Sequence, residues 1–160
     1  VVKKLFALKK RPLEKSLSVL VDQEWLGKLA YWEDDKIDRI IEDFWPGPLT
    51  LVLPARRELP EFLKGPNQTI ALRWSSSSVV QEMIKLGECP LIGTSANLSG
   101  MPSCSSSAEV VEQFGDQTPL LVDSGVLPEN PPTTLLDCTR NPFSFIRSGS
   151  IDQKILEDYI

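Results

Sequence analysis

The chain has 160 residues, of which 41% are hydrophobic, and its formal net charge is −5. This length supports one sizeable core, so we expect a single domain over residues 1–160. The sequence lacks histidine, which excludes Ser-His-Asp and Cys-His catalysis and the commonest zinc sites. Three cysteines without C-x-x-C spacing indicate reduced thiols, a cytoplasmic location and no metal site. No apolar stretch is long enough for a bilayer, and no secretory signal is apparent, so we expect no membrane association.

Basic residues crowd the start of the chain, at Lys3, Lys4, Lys9, Lys10, Arg11 and Lys15. The acidic net charge argues against broad, non-specific binding of nucleic acid. A basic cluster of this kind is typical of a solvated helix face, and a local anion site is the alternative.

The elements predicted for the first half of the chain begin with an amphipathic helix over residues 1–10, which Arg11 and Pro12 end. A strand over 17–21 follows. Asp22 is expected to cap a helix that extends to about residue 31, and a second helix fits 35–44. A rigid turn at 45–48 leads to strands at 49–53 and 69–73.

In the second half we predict a helix over 77–86 that Gly87 closes, followed by a buried strand over 91–94. A helix over 108–114 and a final helix capped by Asp152 are also expected. The remaining predicted strands are 120–122, 134–136 and 145–147. Strands that alternate with helices indicate a three-layer α/β (α+β) domain.

The segment 90–102, PLIGTSANLSGMP, combines an apolar run with small hydroxyl, amide and glycine residues. Such a run is typical of a buried strand, and ligands of open α/β sheets bind where strands end. Ser95, Asn97 and Ser99 offer donors and acceptors, and Gly100 permits close backbone approach. Taken alone, the segment is more typical of a polar strand-to-helix connection.

Cations and hydroxyls also stand at other predicted strand ends. Arg73 ends an apolar strand, where it could lie in solvent or bind a substrate carboxylate, with Thr69 expected at the same sheet edge. Thr133, Thr134 and Arg147 add hydroxyls and another cation. Neither G-x-x-x-x-G-K-[ST] nor G-x-G-x-x-G is present, so a nucleotide would need side chains and a different loop. The pattern suits a small anionic substrate plus a nucleotide.

Five segments occur in a distinctive order: KKRPLEK (9–15), FWPGPLT (44–50), IALR (70–73), TSANLSG (94–100) and IRSG (146–149). In this order and spacing the chain resembles the YrdC/YciO family of threonylcarbamoyl-AMP synthases. The resemblance covers essentially the whole sequence. It implies a twisted mixed β-sheet flanked by helices.

The resemblance further implies a nucleotidyltransferase, an L-threonylcarbamoyladenylate synthase that joins L-threonine, bicarbonate and ATP and releases pyrophosphate. A partner transferase would then modify adenosine beside the anticodon of certain tRNAs. Carbamate attack on the α-phosphate depends on positioning and charge neutralisation, so histidine is not required. Mg²⁺ would be carried with ATP, with no metal ligands on the protein.

By motif matching, the resemblance also assigns site residues, while single catalytic residues stay unassigned. The residues expected to bind ATP are Lys9, Arg11, Lys15, Thr69, Asn97, Ser105 and Arg147. The residues expected to bind threonine are Arg73, Ser95 and Thr133.

The chain departs from the family pattern in three places. Members usually begin with a helix and a strand that carry a P-T-x-T-x-Y-G-like motif, and this sequence starts after that point. Leu20 stands where the family often has histidine, and Trp74 with residues 75–78 replaces an R-x-P-x-H-P-like segment. We therefore expect a chain that is N-terminally incomplete relative to the family.

Two alternatives remain open. The first is a degenerate or YciO-like protein that binds nucleotide or RNA without efficient synthesis, with RNA contacting the basic N-terminal helix. The second is a non-catalytic module like the one embedded in hydrogenase-maturation carbamoyltransferases, which the absence of zinc-finger cysteines and of a second domain disfavours.

Overall fold

The computed structural model describes residues 2–12, 17–118 and 120–160. The chain forms two compact units. The first unit comprises residues 1–15 and 94–130, and the second comprises 16–93 and 131–160. The single domain expected over 1–160 stays a prediction. None of the described helices is long and apolar enough to cross a membrane.

The second unit contains a six-stranded mixed sheet, which confirms the predicted α/β class. The strands are β1 (Ser18–Val21), β2 (Leu49–Pro54), β3 (Thr69–Trp74), β4 (Leu91–Gly93), β5 (Thr134–Asp137) and β6 (Ser144–Arg147). Across the sheet the strand order is β4-β1-β3-β2-β5-β6. β1 pairs with β3 in parallel, as does β2 with β5, and the other three pairings are antiparallel.

Four α-helices of this unit are described: α2 (Gln23–Leu29), α3 (Asp35–Phe44), α4 (Ser78–Gly87) and α6 (Gln153–Leu156). Short 3₁₀ turns cover Glu61–Leu63, Pro66–Gln68 and Glu157–Tyr159. Asp22, Ser77 and Asp152 accept hydrogen bonds from backbone amides at the starts of α2, α4 and α6. This confirms the caps predicted at Asp22 and Asp152.

The two faces of the sheet differ in burial. One face carries Val19, Leu51, Leu72 and Leu136, which are buried in a single hydrophobic cluster. Residues from α2, α3 and α6 join that cluster, namely Leu26, Leu29, Ile37, Ile40 and Leu156. The alternate positions of the strands are mostly half-buried. We call this second side the open face, and it carries the polar residues discussed below.

The end of α4 differs from the expectation. Gly87 is the last helical residue, and the left-handed conformation falls on the next residue, Glu88, with φ of 48°. The amide of Glu88 donates to the carbonyls of Ile84 and Lys85. The helix is therefore closed by a non-glycine residue in a conformation that glycine usually adopts.

The first unit contains α1 (Val2–Lys9), α5 (Ser107–Phe114) and a 3₁₀ turn, Gly115–Gln117. The strand predicted over 120–122 is wrong, since these residues form no strand. Leu120 and Val122 are 75% and 59% exposed, and the Asp123 carboxylate accepts from the Gly125 amide in a turn. Three consecutive apolar residues favour a strand only where a neighbouring strand takes their backbone hydrogen bonds.

Candidate functional site

Register places one row of polar side chains across the open face of the sheet. Leu20 pairs with Arg73, and Leu135 pairs with Arg147. On β2, Thr50 pairs with Leu135 of β5. The next residue, Leu51, pairs with Leu72 of the antiparallel strand β3, so Thr50 lies beside Arg73. Thr133 lies two residues before Leu135, on the same face. We call Thr50, Arg73, Thr133 and Arg147 the sheet cluster.

The spacing of strands sets the size of this cluster. Arg73 and Arg147 lie on strands three places apart in the sheet, which corresponds to roughly 14 Å between their backbones. Within the described residues, neither arginine forms an ion pair with a carboxylate. The sheet cluster therefore combines two cations with hydroxyl groups, which are groups that can bind an anion.

Arg73 is anchored by one edge of its guanidinium. Its Nε donates to the carbonyl of Gly47 at 3.0 Å. No hydrogen bond joins its two terminal nitrogens to any residue that the structure describes. The side chain is half-buried, and burial lowers its pKa from the usual value. The terminal N–H groups thus remain available for a planar acceptor such as a carboxylate.

The turn before β2 holds that anchor in place. Gly47 donates its amide to the carbonyl of Trp74 at 2.8 Å, and the Trp45 indole donates to the carbonyl of Leu49 at 2.8 Å. A Cβ on Gly47 would lie 2.2 Å from the carbonyl oxygen of Phe44. Only glycine fits this position, which explains the glycine of the FWPGPLT segment.

Arg147 and Thr133 form the other half of the sheet cluster. Arg147 donates to the Thr133 carbonyl from Nε at 3.1 Å and from Nη2 at 2.9 Å. Nη2 also donates to Thr133 Oγ1 at 3.0 Å. The structure therefore brings these two predicted site residues together. Thr134, predicted beside them, is buried, and its hydroxyl donates to the Ile151 carbonyl.

Thr69 lies at the other end of β3 from Arg73, so the expectation that both stand at one sheet edge is wrong. The two residues are four positions apart on the strand, which is about 13 Å. Even spacing still puts them on the same, open face. The Thr69 hydroxyl donates to the Pro66 carbonyl at 2.8 Å.

The first unit holds a second group of predicted residues, which we call the loop cluster. It consists of Lys9, of Ser95 and Asn97 in the TSANLSG segment, and of Ser105. The Lys9 ammonium donates to the carbonyls of Ser95 and Asn97 and, at 3.4 Å, to Asn97 Oδ1. Lys9 is buried, and burial is the main reason why its pKa is lowered. With its three donors engaged, Lys9 would meet a phosphate only by releasing one of these oxygens.

Asn97 ties the same loop together through its side chain. Its Nδ2 donates to the carbonyls of Leu98 at 3.1 Å and Met101 at 2.6 Å. Its Oδ1 accepts from the Ser95 hydroxyl at 2.5 Å. The amide's hydrogen-bonding capacity is thereby used within the loop, so Asn97 shapes the segment in this structure.

Ser105 stands just before α5, beside a small cavity of about 170 Å³ that Cys104, Asp123 and Gly125 also line. Its amide donates to Glu109 Oε2 at 2.6 Å, and its hydroxyl also donates to that carboxylate. Burial and the charge of Glu109 raise the pKa of the Cys104 thiol.

Two further cations, Arg11 and Lys15, were predicted to bind ATP. Arg11 follows α1 and is half-buried, and its amide donates to the Phe6 carbonyl at 2.9 Å. Lys15 lies outside the described residues.

A groove of about 730 Å³ lies away from the sheet cluster, against α2 and α4. It mixes Lys28 and Lys85 with Glu24, Glu82 and Glu88. Because side chains of both charges line this groove, the groove favours an anion less than the sheet cluster does.

We expect Lys9→Met to destabilise the first unit, because two loop carbonyls would lose a charged donor. The expected cost is about 1–3 kcal/mol in the free energy of unfolding. Hydrogen exchange should show faster exchange of the amides of Ser99 and Cys104, which donate to the carbonyls of Lys9 and Ala96. Lys3→Met, at an exposed position of the same helix, is the control, and equal exchange in both variants would contradict this role.

Sequence reasoning missed two residues of the sheet cluster's framework. Thr50 was present in the FWPGPLT segment, but its role depends on which strand lies beside β2. The second residue is Gly149. A Cβ added at this position would lie 2.1 Å from the Pro132 carbonyl oxygen. The glycine in IRSG was the available signal for such a close approach.

The fold and the sheet cluster together define an α/β protein with a six-stranded mixed sheet whose open face carries two arginines without a carboxylate partner among the described residues. The chain belongs to the Sua5/YciO/YrdC family. The model of that family, described as "Telomere recombination", matches residues 1–149.

Curated relatives include two threonylcarbamoyl-AMP synthases. The protein from Pyrococcus abyssi is 32% identical over 160 residues, which are 99% of this chain and 47% of that protein. The protein from Klebsiella pneumoniae is 39% identical over 124 residues, or 75% of this chain and 65% of that protein. The matched regions thus cover about half and about two thirds of these relatives' lengths.

Solved structures give the same picture. Sua5 of P. abyssi, complexed with L-threonine, superposes with a TM-score of 0.92 at 32% identity, covering 99% of this chain and 47% of that chain. YciO of E. coli superposes with a TM-score of 0.85 at 22% identity, covering 99% and 76%. The second likeness concerns the fold alone.

Proposed function

We propose that this chain carries the synthase activity of a threonylcarbamoyl-AMP synthase. In this reaction the amine of L-threonine condenses with bicarbonate to give a carbamate and water. A carbamate oxygen then attacks the α-phosphorus of ATP, the bond to the β-phosphate oxygen breaks, and pyrophosphate leaves. Threonylcarbamoyl-AMP is the product. The relatives named as such synthases and the threonine complex of P. abyssi Sua5 support this proposal.

The observation that carries the proposal is the state of Arg73. Its guanidinium is half-buried, fixed at Nε and without a carboxylate partner in the described part of the chain. Burial of a cation without a counter-ion costs free energy that a bound anion returns. A carboxylate matches the fork of the two terminal nitrogens. We therefore assign the threonine carboxylate to Arg73, with Thr133 as a further threonine-binding residue of the same unit. The threonine-binding role expected of Ser95, in the first unit, stays a prediction of its own.

The nucleotide is assigned to the remaining predicted residues. Arg147 supplies a second cation on the open face, and Thr69 supplies a hydroxyl about 13 Å from Arg73 along β3. That separation suits a ligand as long as an amino acid joined to a nucleotide. Lys9, Asn97 and Ser105 of the loop cluster, with Arg11 and Lys15, are proposed for ATP in the first unit. Lys9 and Asn97 would serve by shaping the loop.

We propose that Mg²⁺ enters the reaction bound to the substrate ATP and not to side chains of this chain. In the described part of the chain, no group of three His, Cys, Asp or Glu residues could hold a metal ion. Mg²⁺ bound to ATP would neutralise charge on the leaving pyrophosphate. The chain's own contribution is then to orient the carbamate and to supply arginine donors toward anionic oxygens.

The chemistry of the proposed product indicates which class of enzyme acts next. Threonylcarbamoyl-AMP is a mixed anhydride that must be consumed by a transferase, for which we propose a tRNA threonylcarbamoyl transferase complex in the cytoplasm. The exposed Lys3 and Lys4 on α1 are the proposed place of any RNA contact.

The test is pyrophosphate release from Mg-ATP, measured for this chain and for a form extended at the N-terminus. Release should require both threonine and bicarbonate. Calorimetric titration with L-threonine and with ATP, each alone, provides a readout besides turnover. Binding of ATP or RNA without threonine binding in either form would overturn the synthase in favour of a nucleotide- or RNA-binding protein.

A further inference from the structure

Thr50 is a buried polar residue of the sheet cluster. Its side chain is 2% exposed, so it does not itself present a surface to a ligand. Its Oγ1 lies 3.0 Å from Thr133 Oγ1. Among the residues that the structure describes, Thr133 is the one hydrogen-bond partner of the Thr50 hydroxyl.

The direction of this hydrogen bond follows from the donors and acceptors present. A hydroxyl has one proton and two lone pairs. If Thr133 donated to Thr50, the Thr50 proton would be buried without an acceptor, which costs free energy. The favoured arrangement therefore has Thr50 donating to Thr133.

Arg147 occupies the second lone pair of the Thr133 hydroxyl oxygen with a hydrogen bond. Its Nη2 donates to Thr133 Oγ1 at 3.0 Å, and a guanidinium can only donate. With both lone pairs occupied, the Thr133 hydroxyl has only its proton left to offer. Thr133 is half-buried, so that proton can meet a ligand on the open face.

We infer that Thr50 is a positioning residue that, together with Arg147, makes the Thr133 hydroxyl an obligatory hydrogen-bond donor toward an anionic oxygen of the threonine substrate. The inference rests on the proposed function, because it assigns Thr133 to threonine. It adds selection by hydrogen-bonding role: an acceptor oxygen, such as one of a carboxylate or carbamate, is bound, whereas a ligand that presents a donor at this point meets no acceptor.

The first experiment compares Thr50→Val with Thr50→Ser. Valine keeps the shape of threonine and removes the hydroxyl, and serine retains the hydroxyl. Thr50→Val should raise the KM and the calorimetric Kd for threonine about fivefold to tenfold, with kcat and the KM for ATP nearly unchanged. Thr50→Ser should restore the wild-type values. Thr139→Val, which removes an exposed threonine hydroxyl beyond the opposite end of β5, should change neither.

A double-mutant cycle provides a second test should Thr50→Val unfold. Thr50→Val/Thr133→Val removes both hydroxyls together and so leaves no buried hydroxyl without a partner. If Thr50 acts through Thr133, the threonine Kd of this double variant should equal that of Thr133→Val. Additive effects would overturn the inference, as would an unchanged threonine KM in folded Thr50→Val, or a Thr50→Ser variant that fails to restore it.

Failure of the underlying function gives a different result. Wild-type protein that neither binds threonine nor releases pyrophosphate overturns the synthase and this inference with it. Wild-type protein that is active, with Thr50→Val indistinguishable from it, overturns the inference alone.

Discussion

Arg73→Ala is expected to abolish threonine-dependent pyrophosphate release while leaving the affinity for ATP within about twofold. The substitution removes the half-buried guanidinium that we assign to the threonine carboxylate, and charge-assisted, two-pronged hydrogen bonds are among the strongest in proteins. Their loss should weaken threonine binding by about 100-fold or more. Calorimetric titrations with threonine and with ATP, beside the pyrophosphate assay, measure the two affinities separately.

Arg73→Lys is the matched control for charge. A lysine retains the positive charge but lacks the planar fork and the Nε donor to Gly47, so we expect only partial recovery of threonine binding. Equal loss of threonine and ATP affinity in Arg73→Ala would contradict the assignment, because it would indicate general disruption of the open face.

Gly149→Ala is expected to lower both stability and function. A Cβ at this position would lie 2.1 Å from the Pro132 carbonyl oxygen and 2.5 Å from the backbone of Thr133 and Thr134. The obstacle is the backbone of residues 132–134, so the segment that carries Thr133 must shift. Overpacking of this kind costs about 1–3 kcal/mol. Denaturant unfolding should show that loss, and the affinity for threonine should fall with it.

Gly27→Ala is the control for the substitution itself. Gly27 lies within α2, and a Cβ there meets nothing within 4 Å. Replacing an exposed helical glycine by alanine should stabilise the protein by about 0.5–1 kcal/mol. Equal stability of Gly149→Ala and wild type would show that the 148–150 turn is not packed against Thr133 as described.

The regular elements followed from local chemistry. Asp22 and Asp152 stand before apolar, helix-forming runs, and each caps the helix that follows. The apolar positions of 35–44 repeat at helical spacing, and Ile37 and Ile40 are buried. The strand predicted at 120–122 failed because apolar character alone does not supply a partner strand. Pairing is a property of the whole sheet, and it cannot be determined from three residues.

The candidate site was predicted as residue types but not as an arrangement. Arg73, Thr133 and Arg147 were singled out because they are polar groups at strand ends, and the sheet brings all three to one face. The binding of ATP by Lys9 and Asn97 stays a prediction, and in the structure both side chains donate hydrogen bonds to carbonyls of the loop. A sequence shows what a lysine or an amide can donate, but it does not show which oxygens lie within reach.

By itself, the sequence determined the fold class, the positions of most helices and strands, the absence of histidine chemistry and membership of the family. These follow from composition, periodicity and ordered motifs, all of which are local. Only the tertiary structure decided that Thr50 contacts Thr133, and that the backbone of residues 132–134 leaves no room for a side chain at Gly149. Those facts depend on strand order and register, because residues 83 positions apart, such as Thr50 and Thr133, meet only when β2 and β5 pair.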